Sequence, residues 1–203
     1  MVRPNYQLLT ILILLSIVND SMEFEYEFLL EDERIFSDCA NPPPGSQNMN
    51  GLFNNFSDST FTMTENGVSH SGNLTTSWQI EKTDIIQGGI SLQYFRRGSW
   101  VPTILNLSPK NMCQYIFDER QYIYTFWFKN VINVEEIKEK CVNTPGTVLI
   151  MKTFYFDIKL GLDATLKPGR YKIEVLLTAV DRNGVERPNK ICAAILGEMI
   201  QIK

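Results

Sequence analysis

His70 is the only histidine among 203 residues, and that scarcity bounds the chemistry open to this chain. A Ser- or Cys-based hydrolase needs a base beside its nucleophile. His70 falls instead in a strand-like run beside a hairpin turn, where a structural imidazole is the ordinary expectation. No Gly-x-Ser-x-Gly elbow, Gly-rich phosphate loop or His-Glu-x-x-His motif occurs. Asp157 and Asp163 could form a glycosidase-like carboxylate pair, but 23 acidic residues make chance pairs inevitable. The chain is therefore expected not to be an enzyme and to need no cofactor.

Four cysteines carry the remaining chemistry: Cys39, Cys113, Cys141 and Cys192. Zinc is a competing use, but there is no Cys-x-x-Cys spacing and His70 is far along the chain from all four. No metal site is expected. An even cysteine count in a secreted chain reads as two disulfides, for which three connectivities exist. The preferred pairing joins Cys113 to Cys141, closing a compact excursion, and Cys39 to Cys192, tying the opening strand to the closing one.

Secretion is read from the N-terminus. Arg3 precedes a short apolar core over residues 8–18, which suits a signal peptide better than a membrane span. The leader is expected to cover residues 1–21, with cleavage between Asn19 and Glu23. That leaves one secreted domain over 22–203 with no stable membrane anchor. Two glycosylation sequons, at Asn55 and Asn73, fit this route. Asn106-Leu-Ser108 is a weaker third, because Ser108 is better placed as a helix cap.

Hydrophobic residues at 44% and charged residues at 21% are ordinary for a folded soluble protein. The net charge of −4 offers no basic stripe for nucleic acid and no polybasic signal for an anionic membrane.

The elements follow from periodicity. In residues 23–28, Phe24, Tyr26 and Phe28 alternate with glutamates, as in a half-buried strand. Phe61 to Thr64 and Val68 to Ile80 flank Asn66-Gly67, a strong hairpin signal. Ile90 to Phe95 reads as a strand, with Gly88-Gly89 as a bulge or turn before it. Ser108 and Pro109 then suit a helix start. Met112, Ile116, Ile123 and Trp127 fall at helical spacing, so one or two short helices with a break near Asp118 are expected within 108–141. Residues 147–203 supply three β-rich runs, separated by Pro168-Gly169 and Asn183-Gly184, as consecutive antiparallel strands. Val148, Ile150, Phe154, Phe156, Ile158 and Leu160 would share one face, as would Tyr171, Ile173, Val175, Leu177 and Ala179. The sum is a mainly β fold whose large apolar sheet face needs a second layer.

Several segments resemble a known superfamily: Cys141 with Pro145-Gly146 before a strand, Lys167-Pro-Gly-Arg-Tyr171, and a last strand bearing Cys192. These are similar to the ML lipid-recognition proteins, which include the ganglioside activator. A closer resemblance, over nearly the whole mature chain, is to the insect CheB-type chemosensory proteins. It is carried by Ser71-Gly-Asn-Leu-Thr-Thr-Ser-Trp78, Arg97-Gly-Ser-Trp-Val-Pro-Thr103, Met112-Cys-Gln-Tyr-Ile-Phe-Asp118 and Arg187-Pro-Asn-Lys-Ile-Cys192.

The resemblance implies an immunoglobulin-like, two-sheet antiparallel β-sandwich with a short helical excursion. It implies a lipid or other apolar ligand, such as a cuticular-hydrocarbon-like pheromone, held between the sheets. It also implies the Cys39–Cys192 link. On that expectation the candidate lining residues are Phe95, Trp100, Phe117, Tyr124, Trp127, Phe128, Phe154, Phe156 and Leu177. The alternatives are an accessory protein for a receptor or channel, with its core filled, and an activator that lifts glycolipids toward a hydrolase.

Overall fold

The computed structural model of the protein describes residues 24–54 and 60–203. The leader, its cleavage site and the Asn55 sequon lie outside these residues. The chain opens with strands β1 (Phe24–Leu30), β2 (Ser37–Asp38) and β3 (Ser46–Gln47), helix α1 (Met49–Leu52) and strand β4 (Phe53–Asn54). Then come β5 (Thr60–Thr64), β6 (Gly67–Ser71), β7 (Leu74–Thr76), β8 (Ile85–Arg96) and β9 (Ser99–Leu107). A helical excursion follows: α2 (Met112–Ile116), α3 (Tyr122–Phe126), a 3-10 turn (Phe128–Asn130) and α4 (Val134–Lys140). The chain closes with β10 (Val148–Leu149), β11 (Phe154–Tyr155), β12 (Lys159–Leu162), β13 (Gly169–Val180) and β14 (Lys190–Gln201).

The fold is mainly β, as the alternation implies. One large sheet runs β12-β1-β14-β13-β8-β9, and β2 and β3 also pair with β14. All its pairings are antiparallel except β3 with β14. The second layer is divided into two three-stranded sheets, β10-β7-β4 and β11-β6-β5. Leu52, Phe53, Leu74, Trp78 and Leu149 bring the first of these, with α1 and Trp78, against Ile86, Leu177, Ala179 and Ile191 of the large sheet. Met112, Ile116, Trp127, Phe128 and Ile137 of the excursion complete this cluster. A second cluster, of Tyr26, Phe28, Leu92, Ile158, Leu166, Tyr171 and Met199, fills the other end.

Both disulfides pair as preferred. Cys113–Cys141 closes the base of the helical excursion, and Cys39–Cys192 pins the chain just after β2 to β14. Polar locks tie the ends of long strands. Arg187 forks onto Asp84 with two 2.8 Å hydrogen bonds, and its guanidinium holds that buried carboxyl below the usual carboxylate range. The Trp78 indole donates to the Asn189 carbonyl at 3.0 Å.

Several local expectations are corrected. The run over 147–160 is not one strand but three, β10, β11 and β12, each in a different sheet. Its inward phase changes on the way: Leu149 and Met151 are buried while Val148 and Ile150 are exposed, and Lys152 and Thr153 are both exposed before Phe154 turns in. The chain crosses there from one small sheet to the other, so β12 pairs with β1 and not with β13. Likewise, the run from Val68 divides at Gly72 (φ +99°), with β6 and β7 in different sheets. Gly88-Gly89 is neither turn nor pre-strand bulge but lies inside β8. A Cβ on Gly88 would stand 2.5 Å from the Met112 sulfur, so the glycine admits α2 onto the sheet. The register shift sits further on, between Ser91 and Gln93. Finally, α2 is capped not by Ser108 but by Asn111, whose side-chain oxygen accepts from the Gln114 amide at 3.2 Å. The Pro109 carbonyl is engaged by the Gly88 N–H at 2.9 Å, which holds this stretch against the strand before the helix can begin.

Candidate functional site

Four aliphatic side chains at the middle of the large sheet mark the site. On β13 the inward positions are Tyr171, Ile173, Val175, Leu177 and Ala179. The outer three of these five are buried, and the middle two are only half-buried. Ile173 stands opposite Ile195 on β14, and Val175 stands opposite Ile90 on β8. Both partners are also half-buried, although Ile191, Ala193 and Met199 on β14 are closed. An inward aliphatic side chain on a central strand of a packed sandwich is normally covered by the facing layer. Here Ile90, Ile173, Val175 and Ile195, neighbours across and along the strands, are all only half-buried. Each such side chain can release about 1.5–3 kcal/mol on full burial. The patch is therefore apolar surface left partly exposed at the centre of the sheet.

Aromatic side chains of the facing layer pack on the same cluster as Val175. Phe61, His70 and Phe154 form one cross-strand row on the β11-β6-β5 sheet. The His70 ring lies 4.8 Å from Phe61, 5.4 Å from Phe154 and 5.6 Å from Trp127, centroid to centroid. Burial in this apolar setting lowers the His70 pKa to about 4, so the imidazole is neutral at pH 7. Phe156 contacts Phe154 at 4.8 Å and Trp127 at 5.4 Å, and it packs against both core clusters. Helix α3 spans the same seam: Ile123 and Tyr124 pack on the first cluster and Phe126 on the second. The arrangement offers apolar surface and ring faces, which suit noncovalent binding.

The sequence-derived lining candidates divide. Trp127, Phe128 and Leu177 are buried in the first cluster, and Phe117, Tyr124, Phe154 and Phe156 pack half-buried against it. Phe95 and Trp100 do not line the space between layers. Tyr94 pairs with inward Tyr171, so Phe95 and its partner Trp100 must point to the opposite face. There the Arg170 guanidinium lies 5.3 Å from the Phe95 ring and 5.5 Å from the Trp100 ring, and the Lys172 ammonium lies 5.3 Å from the latter. Arg170 also pairs with Glu31 at 2.7 Å, and Lys172 with Glu174 at 3.0 Å. These cations belong to the outer face.

The four aliphatic residues, Phe61 and His70 are absent from those candidates. Alternation did put Ile173 and Val175 on the inner face, but no local pattern reveals which inward positions the facing layer fails to cover. Among the described residues no group of three or more His, Cys, Asp or Glu side chains could hold a metal ion. All four cysteines are in disulfides. Of the described sequons, exposed Asn73 accepts from the Met151 amide through its side-chain oxygen at 3.2 Å. Asn106 uses its side-chain N–H to reach the Thr103 carbonyl at 3.1 Å. No helix among the described residues is long and apolar enough to cross a membrane.

Residues 90–173 match a family model described as a protein of unknown function (DUF1091), in general an ML-domain-like family. The matched segment runs from Ile90 on β8 through the helical excursion to Ile173 on β13, so it begins and ends on two members of the half-buried patch. No curated protein and no solved structure matches the chain.

Proposed function

We propose that this protein is a carrier that holds an apolar small molecule between the large sheet and the aromatic second layer. One observation carries the proposal. Ile90, Ile173, Val175 and Ile195 face inward at the centre of the sheet, yet stay half-buried and adjoin one another across strands. The aromatic side chains of Phe61, Phe154, Phe156 and Trp127 add ring surface and no formal charge. The likeness of residues 90–173 to an ML-domain-like family is in keeping with a lipid-type ligand. The resemblance to CheB-type proteins extends the proposal to a chemosensory role with a hydrocarbon-like pheromone. Two disulfides accord with an oxidising, extracellular location, and secretion through the expected leader is part of the proposal.

Filling the space tests it. The full-length protein should bind a fluorescent apolar probe, N-phenyl-1-naphthylamine, saturably and at one site. Val175→Trp and Ile173→Trp should each reduce that affinity at least about tenfold, the effect of losing roughly 1.4 kcal/mol, without loss of cooperative unfolding. Unchanged probe binding in both folded variants would rule the site out.

A second reading, an accessory protein for a receptor or channel, draws on the outer-face cluster of Phe95, Trp100 and Arg170, since Trp and Arg are frequent interface anchors. It would gain if Trp100→Ala abolished biological activity while leaving probe binding intact.

A further inference from the structure

We infer that α3 is the gate through which ligand reaches the half-buried patch, and that the Tyr122 hydroxyl is its latch. The inference rests on the carrier reading for its purpose, but the movement itself can be measured without ligand. Helix α3 lies across the seam between the two core clusters, with Ile123 and Tyr124 on one side and Phe126 on the other. Val175 packs toward the first cluster and Ile173 and Ile195 toward the second, so this seam borders the patch.

The excursion is held firmly at both ends and weakly in the middle. At one end, α2 has its Asn111 cap, and Cys113 is bonded to Cys141. At the other, Asn133 donates to the Val148 carbonyl and accepts from the Ile150 amide, each at 2.9 Å. Helix α4 buries Ile137 completely and carries the Lys138–Glu135 and Lys140–Glu136 ion pairs. Between them, α3 is a five-residue helix with no side-chain cap at Gln121 and no fully buried residue. So short a helix has little stability of its own. Its tie to the large sheet is Tyr122, whose hydroxyl donates to the Gly161 carbonyl at 2.5 Å and accepts from the Gly161 amide at 3.0 Å. Gly161 belongs to β12, the edge strand of that sheet. Release of this one group would let the Tyr122–Phe126 turn swing out, taking the Phe126 ring with it, while Trp127 and Phe128 stay anchored. Tyr122 stacks on Phe126 at 5.7 Å, so the two rings move as a unit.

Tyr122→Phe keeps the stacked ring and removes the latch. In the full-length protein, hydrogen exchange at the Thr125 and Trp127 amides should accelerate about three- to tenfold, the factor one net hydrogen bond supplies. Association and dissociation rates of N-phenyl-1-naphthylamine should rise by a similar factor, with equilibrium affinity within about twofold. Thr103→Val is the matched control. Its hydroxyl also donates to a carbonyl, that of Leu92, and accepts from an amide, that of Leu105, at 2.8 and 3.1 Å. It should leave α3 exchange and both rates unchanged. Equal exchange and equal rates in wild type and Tyr122→Phe would overturn the gate. If neither protein bound the probe, the carrier reading would fall, and the exchange comparison alone would decide whether α3 opens at this latch.

Discussion

A neutral imidazole sits in the aromatic row that faces the large sheet, and its protonation is opposed by the burial that holds it there. The folded pKa of His70, about 4, lies below its ordinary value of 6.5. The unfolded chain therefore takes up the proton first as pH falls. The corresponding stability is fully present above about pH 6.5 and is lost toward pH 4, at up to about 1.4 kcal/mol per pH unit and roughly 3 kcal/mol in all. Urea unfolding of wild type and His70→Gln at pH 7.5, 5.5 and 4.5 isolates this contribution, because other groups cancel in the difference. The gap between the two should narrow with acidification, and a constant gap would show that the imidazole titrates normally in the fold. As the only histidine, His70 also gives a single ring resonance from which the folded pKa can be read by NMR.

Helices α2 to α4 form an element that the disulfide at its base turns into a clip. Cys113 and Cys141 lie 28 residues apart, for which loop-closure entropy gives about 3–4 kcal/mol of stabilisation. The double variant Cys113→Ser, Cys141→Ser should lose roughly that amount in chemical denaturation, and a loss under about 1 kcal/mol would show the excursion holding itself in place by packing. Much of this element was legible in the sequence. Met112, Ile116, Ile123 and Trp127 at helical spacing located α2 and α3, with the break near Asp118 between them, whereas the one or two helices expected are three with a 3-10 turn. The alternation of Phe24, Tyr26 and Phe28 and of Tyr171 through Ala179 likewise gave the correct inward faces. Periodicity is a local property, however, and pairing is not. Nothing in residues 147–160 announces that Leu149, Phe154 and Leu160 serve three sheets, or that the inward phase changes at Lys152 and Thr153. Phe95 and Trp100 fall on the outer face for the same reason: the side of β8 that Phe95 takes, and with it that of its β9 partner Trp100, is set by Tyr94 meeting Tyr171 across the sheet. The four patch residues escaped notice because incomplete coverage is a relation between layers.

At the scale of the molecule, one broad sheet is covered by two small ones and a helical excursion, and the core separates into two clusters with Phe156 packed against both. A single continuous second sheet could close evenly over β13. The small sheet β10-β7-β4 covers the Leu177 and Ala179 end of β13, residues of the second cluster fill the Tyr171 end, and Ile173 and Val175 between them stay half-buried. Native mass spectrometry of the protein secreted from eukaryotic cells and purified without detergent tests the carrier claim most directly. The expected result is a bound mass of a few hundred daltons that organic extraction removes, and that offered long-chain hydrocarbons or esters restore in wild type but not in Val175→Trp. A bare polypeptide, with or without glycans, that takes up none of these molecules would contradict it.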